Sequence, residues 1–417
     1  MRSLIRRVIR RLLALLGGGK EPLPLALLFE PAVQLNIGID PGLAARARLN
    51  VLIPGLAMHS LSGGPNTALN LGYRMAAHGV PVRFVATDLP ADRDQRPLLR
   101  HMMRLAGIDT RFEHVEIASG HDRRVPLLLG ENDVFLATAW WTAQMVKGAL
   151  PKMRCKRFLY LVQDFEPGLH AFSSLYALAD ETYGLDYYAI VNHALLHDYM
   201  VANRVGRFGD PQFAARCVVL DPAIDRAHFY PGERAASGPR TLLFYARPTT
   251  AQRNLFELGV AALNAAAERG AFDRGDWRLY GIGEPFAPHR LAKGHRLSPL
   301  PWLEYESYAR WMRSSDILLS LMLSPHPSYP PLEMAAAGGM VVTNTFGTKT
   351  AARLAQIAPN ILAAAPTVEA IAGAIELAAA RAGQPVAGPS RAPATWDESF
   401  APVMPFVMRA WRECTAA

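Results

Sequence analysis

The segment from Ser324 to Val342 holds the most concentrated set of residues that could bind a ligand. An apolar run from Asp316 to Met322 precedes it and predicts a buried strand. A loop follows, then a short helix opened by two prolines and ended by two glycines, then another strand. Backbone N–H groups at such a helix start can bind a diphosphate, and Glu333, expected in the first turn, could accept hydrogen bonds from sugar hydroxyls. The segment favours a nucleotide-sugar site, and the alternative is an ordinary unit in which Glu333 only complements the helix dipole.

Two other loops that follow predicted strands carry groups suited to an anion. Gly63 and Gly64 would let the backbone approach an anion at a helix start, and the alternative is a simple tight turn. Arg247 and Arg253 lie in one loop and could converge on a diphosphate, which they would neutralise as it leaves. The alternative for both arginines is a solvated surface position.

A third loop carries two acids, Asp164 and Glu166, two residues apart. In an extended backbone both carboxylates would point the same way and could bind the hydroxyl groups of an acceptor. Structural capping is the main alternative. A metal site of the paired-acid kind lacks an evident third ligand.

The composition is that of a globular protein large enough for two domains: 417 residues, 50% hydrophobic and 19% charged. Its three cysteines are isolated and at no metal-binding spacing, so we expect reduced thiols in a cytosolic protein. The formal net charge is +8, of which the first twenty residues carry +6 and the remaining 397 only +2. A nearly neutral body argues against nucleic acid as a partner.

Residues 1–19 form a basic arm. In a helix, the apolar side chains of residues 2–16 would fill about half of the circumference, and five arginines would fill most of the rest. Such a helix would lie flat on an anionic membrane surface, and the alternative is packing on the protein's own body. No apolar run approaches the roughly 18 residues needed to span a bilayer. We therefore expect a cytoplasmic protein, peripheral on the inner face of the cell membrane.

Short apolar strands alternate with helices from about residue 50, which predicts parallel sheets covered on both faces. The alternation restarts after a Pro- and Gly-rich linker at 231–239. We predict an N-terminal domain over residues 20–232, a C-terminal domain over 240–392, and a final helix over 393–417 that crosses back to the N-terminal domain, as the family resemblance described next implies. The predicted helices include residues 67–78, 305–314 and 368–381.

Three motifs resemble those of the retaining GT-B glycosyltransferases of family 4, and among them the WsaF-like rhamnosyltransferases. They follow one another along the chain in the same order as in that family. They are His-Pro-Ser-Tyr-Pro-Pro-Leu-Glu at 326–333, Gln-Asp-Phe-Glu-Pro-Gly at 163–168, and Tyr-Ala-Arg-Pro at 245–248 with the Arg-Asn pair at 253–254. The likeness runs over about residues 50–381. The sequence departs from the general pattern at two positions: His326 takes the part of the first acid of Glu-x7-Glu, with six instead of seven residues between it and Glu333, and Arg253 replaces a lysine.

The resemblance implies two Rossmann-like, doubly wound α/β domains that face each other across a cleft, and a reaction that needs no metal or other cofactor. The catalytic residues that it implies are Arg247, Arg253, His326 and Glu333. The donor-binding residues that it implies are Gly63, Gly64, Arg247, Arg253, Gly283, Ser328, Tyr329, Pro331, Leu332 and Glu333. Asp164 and Glu166 are expected on the acceptor side.

Four side chains, one histidine and three tryptophans, have two interpretations each. The neutral imidazole of His326 could bind a hydroxyl or phosphate oxygen of the donor, or it could only pack against the prolines. Trp302 could stack on the nucleobase or fill the core. The pair Trp140-Trp141 favours buried packing over carbohydrate stacking.

The resemblance predicts transfer of a sugar, L-rhamnose from dTDP-L-rhamnose, to a glycan or lipid-linked oligosaccharide in bacterial surface polysaccharide synthesis. The residues themselves do not distinguish thymidine from uridine or guanosine, so a UDP- or GDP-hexose donor is the alternative. A non-catalytic sugar-binding protein of the same fold is another. An epimerase or dehydrogenase would require a glycine fingerprint and a Tyr-x-x-x-Lys pair, and neither is evident in the sequence.

Overall fold

A computed structural model describes residues 34–58, 61, 63–232, 238–384 and 390–416 of the chain. The basic arm, the start of the irregular segment that follows it, and residues 59, 60 and 62 of the first glycine loop lie outside these ranges.

The N-terminal domain has nine strands within the described residues. In chain order they are β1 (Ile37–Ile39), β2 (Leu49–Ile53), β3 (Val82–Ala86), β4 (Val115–Ser119), β5 (Leu127–Leu129), β6 (Val134–Ala137), β7 (Phe158–Val162), β8 (Tyr187–Asn192) and β9 (Cys217–Leu220). Seven of them form one parallel sheet in the order β4-β3-β2-β6-β7-β8-β9, and β1 pairs with β5 separately. All residues of β2, β3, β6, β7 and β8 are buried, because both faces of a parallel sheet are covered.

The described α-helices of this domain are α1 (Gly63–Ala77), α2 (Arg96–Ala106), α3 (Trp140–Ala149), α4 (Ser174–Thr182) and α5 (Ala194–Ala202). The first helix begins four residues before the predicted start at residue 67, because the glycine pair forms its first turn.

The C-terminal domain repeats the architecture. Its described strands are β10 (Arg240–Ala246), β11 (Trp277–Gly283), β12 (His289–Arg290), β13 (Arg296–Pro299), β14 (Ile317–Leu319), β15 (Met340–Asn344) and β16 (Ile361–Ala364). They form a sheet in the order β12-β13-β11-β10-β14-β15-β16, in which β12 is antiparallel to its neighbour and the other pairs are parallel. The described α-helices are α6 (Ala251–Asn254), α7 (Phe256–Glu268), α8 (Tyr305–Ser314), α9 (Tyr329–Ala336), α10 (Ala351–Ile357) and α11 (Val368–Arg381). The prediction of two doubly wound α/β domains is confirmed.

The end of the chain forms two helices, α12 (Trp396–Phe400) and α13 (Val403–Ala416). The apolar side of α13 is buried in the same core as β6 and β7 of the N-terminal sheet, with Val403, Val407 and Ala410 fully covered. The last helix is therefore part of the N-terminal core, although it follows the C-terminal domain in sequence.

Each sheet has one point where the strand order reverses. In the N-terminal sheet this point lies between β2 and β6, and in the C-terminal sheet it lies between β10 and β14. Ligands of open parallel sheets bind at such points, beyond the carboxyl ends of the strands. The loops after β2, β10 and β14 are those that carry the predicted glycines, arginines and histidine.

Candidate functional site

The loop over residues 320–328, here called the donor loop, runs from β14 to α9. Ser328 ends it as the N-cap of α9, with φ 70° and ψ 155°. A non-glycine residue with this backbone conformation is strained and needs support from its surroundings. His326 gives that support, since its Nδ1 accepts a hydrogen bond from the N–H of Ser328 at 2.9 Å.

This contact fixes the proton position in His326. Because Nδ1 is an acceptor, the neutral ring carries its proton on Nε2. The side chain is 3% exposed, and Nε2 has no hydrogen-bond partner among the described residues. Burial lowers the pKa of His326, and the charges of His193, Arg253 and Lys349 lower it further. His326 is thus a neutral, buried hydrogen-bond donor, whereas a carboxylate at this position would be a hydrogen-bond acceptor.

Glu333 lies in the second turn of α9 and not in the first. The helix begins at Tyr329, since Ser328 is its N-cap, and no acidic residue occupies its first turn. The prediction of a first-turn carboxylate is therefore wrong, and so is the alternative that Glu333 only complements the helix start. The hydroxyl of Tyr308 donates to Oε2 of Glu333 at 2.6 Å, and burial raises the pKa of this carboxyl to about 7.

Two consecutive prolines weaken the start of α9 as an anion site. Pro330 and Pro331 have no N–H group, so they remove two of the four free donors of the first turn. Leu332 is 1% exposed and packs in the core of the C-terminal domain. Pro330, Pro331 and Leu332 can therefore contact a nucleotide-sugar donor only through backbone atoms. The charge of a diphosphate needs other partners.

The two arginines bind different carboxylates. Nε of Arg247 donates to Oε1 of Glu284 at 3.3 Å, while Oε2 of the same acid accepts the N–H of Thr249 at 2.9 Å. Gly283 precedes this acid with φ 118°, and a Cβ there would lie 2.6 Å from the carbonyl oxygen of Ala246. The glycine thus permits the tight approach that brings Glu284 to Arg247.

Arg253 pairs with the N-terminal domain. Its Nη2 donates to Oδ2 of Asp164 at 2.5 Å, across the cleft. The two arginines of this loop are therefore held by different carboxylates, Arg247 by one of its own domain and Arg253 by one of the N-terminal domain.

The two acids of the third loop diverge, which corrects the sequence prediction. Glu166 opens a short 3-10 turn, Glu166–Leu169, so the extended backbone on which that prediction depended is absent. Its Oε2 accepts the N–H of Trp140, the first residue of α3, at 2.6 Å. Burial raises the pKa of this carboxyl to about 8. Glu166 is a helix-capping acid, as the structural alternative proposed, and its side chain does not lie beside that of Asp164 on one face.

The two glycines at the start of α1 permit two close contacts. A Cβ on Gly63 would lie 2.8 Å from the ring of Tyr329 of the C-terminal domain, and one on Gly64 would lie 3.0 Å from Oε1 of Gln163 of the N-terminal domain. The Tyr329 hydroxyl lies 2.6 Å from Oγ1 of Thr67 and accepts from Nδ2 of Asn192 at 3.2 Å. The absence of a side chain at Gly63 lets the C-terminal domain approach this closely.

Three groups of the site were not found from the sequence. Lys349 is fully buried behind the donor loop, its Nζ donates to the carbonyl of Met322 at 2.8 Å, and burial lowers its pKa to about 7. Tyr308 and Ser324 contact Glu333 and Asp164, respectively. No local spacing singles out these residues, because their partners come from other parts of the chain.

The tryptophans separate into two classes. Trp140 is buried, whereas Nε1 of Trp141 donates to Asp88 at 2.9 Å. Trp302 is 72% exposed, so it does not fill the core. Its stacking on a base stays a prediction.

Within the described ranges, no three His, Cys, Asp or Glu side chains form a group that could hold a metal ion. A search of the same ranges for helices long and apolar enough to cross a membrane finds none.

Comparison with known proteins agrees with this two-domain fold. Residues 48–193 match the family model of the WsaF N-terminal domain, and residues 240–376 match that of the WsaF C-terminal domain. The O-antigen biosynthesis protein RfbC of Myxococcus xanthus is 36% identical over 217 residues. These are 52% of this chain but only 16% of that protein.

Solved structures show the same fold at low identity. Sucrose-phosphate synthase from Thermosynechococcus elongatus has a TM-score of 0.50 at 13% identity, over 89% of this chain and 97% of that one. The catalytic domain of Starch Synthase IV from Arabidopsis thaliana, bound to ADP and acarbose, has a TM-score of 0.51 at 9% identity, over 89% and 100%. The two family models together cover more than half of the sequence, in the order of the two domains, and the protein therefore belongs to the WsaF-like family of GT-B glycosyltransferases.

Proposed function

We propose that the protein transfers a sugar from a nucleoside diphosphate donor to a glycan or lipid-linked oligosaccharide during synthesis of a bacterial surface polysaccharide. The observation that carries the proposal is that Arg253 and the donor loop with His326, at the strand-order reversal of the C-terminal sheet, contact Asp164 of the N-terminal domain. Family membership and the name of the RfbC relative support it. The proposed sugar, L-rhamnose from dTDP-L-rhamnose, follows from the resemblance of the run at 326–333 to the WsaF-like rhamnosyltransferases.

The chemistry proposed for these residues follows from their charge and protonation. Glu333, as a carboxylate, accepts hydrogen bonds from donor hydroxyls, and the Nε2–H of His326 donates to a donor oxygen. Arg247 and Arg253 neutralise the charge that develops on the departing diphosphate. No side chain with an obvious nucleophilic role is assigned to the donor site, so departure and attack on one face of the sugar are proposed, with the diphosphate taking the acceptor proton.

A donor panel tests the proposal. Purified protein incubated with radiolabelled dTDP-rhamnose, UDP-glucose and GDP-mannose and with lipid-linked acceptors is expected to transfer label from dTDP-rhamnose. Transfer from another donor would support the proposed glycosyltransferase activity and reject L-rhamnose as the transferred sugar. Binding without transfer from any donor would support the non-catalytic alternative, and the absence of both binding and transfer would reject the proposed function.

Tyr308→Phe is expected to shift the pH dependence of nucleotide affinity upward by roughly half to one pH unit. The Tyr308 hydroxyl lowers the pKa of Glu333 by bonding its charged form, and the variant loses this effect. Because a protonated carboxyl is a poorer acceptor, binding weakens at a higher pH than in the wild type. Calorimetry with dTDP-L-rhamnose, without acceptor, between pH 5.5 and 8.5 measures the shift. Tyr305→Phe is the matched control, since Tyr305 lies on the same helix and influences Glu333 only through space; equal shifts in both variants would contradict the assignment.

The basic arm is proposed to bind an anionic membrane surface through residues 2–16. Each arginine near the surface adds about 1 kcal/mol of attraction, and the leucine face adds burial that salt does not screen. Deletion of residues 1–19 should abolish cosedimentation with anionic liposomes and leave nucleotide binding unchanged. Equal sedimentation of truncated and full-length protein would show that the arm is not the anchor.

A further inference from the structure

Asp164 is a buried carboxylate of the N-terminal domain that bonds to the C-terminal domain. It follows β7 and is 3% exposed. Its Oδ2 accepts from Nη2 of Arg253 at 2.5 Å, and its Oδ1 accepts from the hydroxyl of Ser324. Oδ1 also accepts the backbone N–H of Phe165 at 2.9 Å. The protein itself thus uses three of the roughly four acceptor positions of this carboxylate, which leaves little capacity for an acceptor sugar.

The contacts of Asp164 continue into the donor loop. Oγ of Ser324 donates to Asp164 and accepts the N–H of His326 at 2.9 Å. His326 in turn accepts the N–H of Ser328 and so supports the strained start of α9. The loop is also tied to Arg253, whose carbonyl accepts the N–H of Leu323 at 2.9 Å. The carboxylate of Asp164 therefore contacts both Arg253, the predicted phosphate-binding arginine, and the loop that orients His326.

We propose that Asp164 is a positioning residue of the donor site, through which contact between the two domains fixes Arg253 and the donor loop. This inference rests on the proposed function, and it places Asp164 on the donor side instead of the acceptor side predicted from sequence. Contact between the domains gives this buried carboxylate its cationic partner and its hydroxyl donor, and a buried charge is stable only when it is paired and hydrogen-bonded in this way. The charge of Asp164 therefore favours the closed arrangement in which Arg253 and His326 are already oriented for a donor.

The charged and polar groups around Asp164 support this role. Besides Arg253, the buried amine of Lys349 interacts with Asp164, whose charge favours the protonated form of the amine, so one cation and one titratable amine of the C-terminal domain face one acid of the N-terminal domain. The neutral contact of Tyr329 with Thr67 and Asn192 joins the same two domains beside it. Shape and charge thus both stabilise contact of the domains at the donor loop.

Asp164→Asn tests the proposal because it keeps the size of the side chain and removes the charge. We expect the Kd for dTDP and the KM for the donor to rise at least tenfold, with the acceptor KM changed by less than twofold. Calorimetry with dTDP needs no catalysis, so it separates this inference from the proposed function. Absence of dTDP and UDP binding by the wild type would reject the function, whereas equal binding by wild type and variant would reject the role of Asp164 alone.

Two more variants complete the test. Asp186→Asn is the matched control, because this carboxylate of the same domain pairs with Arg157 and Arg216 at the amino end of β8, away from the cleft. Ser324→Ala removes the hydroxyl that bonds to Asp164 and to the N–H of His326 but keeps the ion pair of Asp164 with Arg253, so it carries the test if Asp164→Asn does not fold. It should raise the dTDP Kd at least threefold, and the two substitutions combined should cost less than the sum of the single effects. A raised acceptor KM with an unchanged dTDP Kd would instead assign Asp164 to the acceptor.

Discussion

Replacement of Glu333 by glutamine is expected to weaken nucleotide-sugar binding about 10- to 100-fold and, at the same time, to raise the thermal stability of the protein. The loss of affinity follows from the loss of a charged hydrogen-bond acceptor for donor hydroxyls, which costs about 1–3 kcal/mol. Glutamine keeps a carbonyl oxygen for the hydroxyl of Tyr308, so the local packing is preserved.

The gain in stability follows from the raised pKa of Glu333. Burial raises it from 4.5 to about 7, so the folded protein retains this proton at pH values where the unfolded chain has released it. The contribution of Glu333 to the free energy of unfolding therefore decreases as the pH rises from about 4.5 to about 7 and is constant above that range. Glutamine has no proton to lose, so the stabilisation by Glu333→Gln should be full at pH 8 and disappear below pH 4.5.

Thermal unfolding at pH 4.5 and pH 8, together with calorimetry using dTDP-L-rhamnose without acceptor, measures both effects. Glu369→Gln is the control, since Glu369 is an exposed acid in the first turn of α11, so its replacement should leave donor affinity unchanged and lower stability only slightly, through the loss of its interaction with the helix start. Unchanged dTDP-L-rhamnose affinity in Glu333→Gln would contradict the donor assignment, and a lower melting temperature at pH 8 would show that the buried charge is stabilising.

Arg247→Ala should lower kcat by about 10²–10³-fold, because a fixed cation at the departing diphosphate acts most strongly in the transition state. Its effect on stability should be small. The Arg247 side chain is 32% exposed, and its partner Glu284 keeps its contacts with Thr249 after the substitution.

Steady-state kinetics at saturating donor and a melting curve for each variant separate the two roles. Arg278→Ala, which removes a half-exposed arginine of β11 in the same sheet, controls for the loss of a positive charge. The catalytic assignment fails if Arg247→Ala melts much lower while each folded molecule keeps its activity.

The fold could be predicted from sequence because its signals are local. Apolar runs such as Phe158–Val162 and Met340–Asn344 are buried on both faces, and they alternate with helices that have clear limits. The helices over 305–314 and 368–381 have the predicted bounds. The helix start at Gly63 and the start of α9 at Tyr329 were missed, since the conformation of a glycine pair or of Ser328 depends on what packs against it.

The site was predictable in part, for the same reason. The sequence by itself determined the fold class, the family and the loops that carry Arg253, His326 and Glu333, because residue type and spacing along the chain encode them. Only the tertiary structure decided the partners: Asp164 bonds to Arg253 and Ser324, 89 and 160 positions away, and Glu166 turns to cap α3. A buried charge binds whichever donors the packing of two domains brings within reach, and that choice has no signature in the neighbouring sequence.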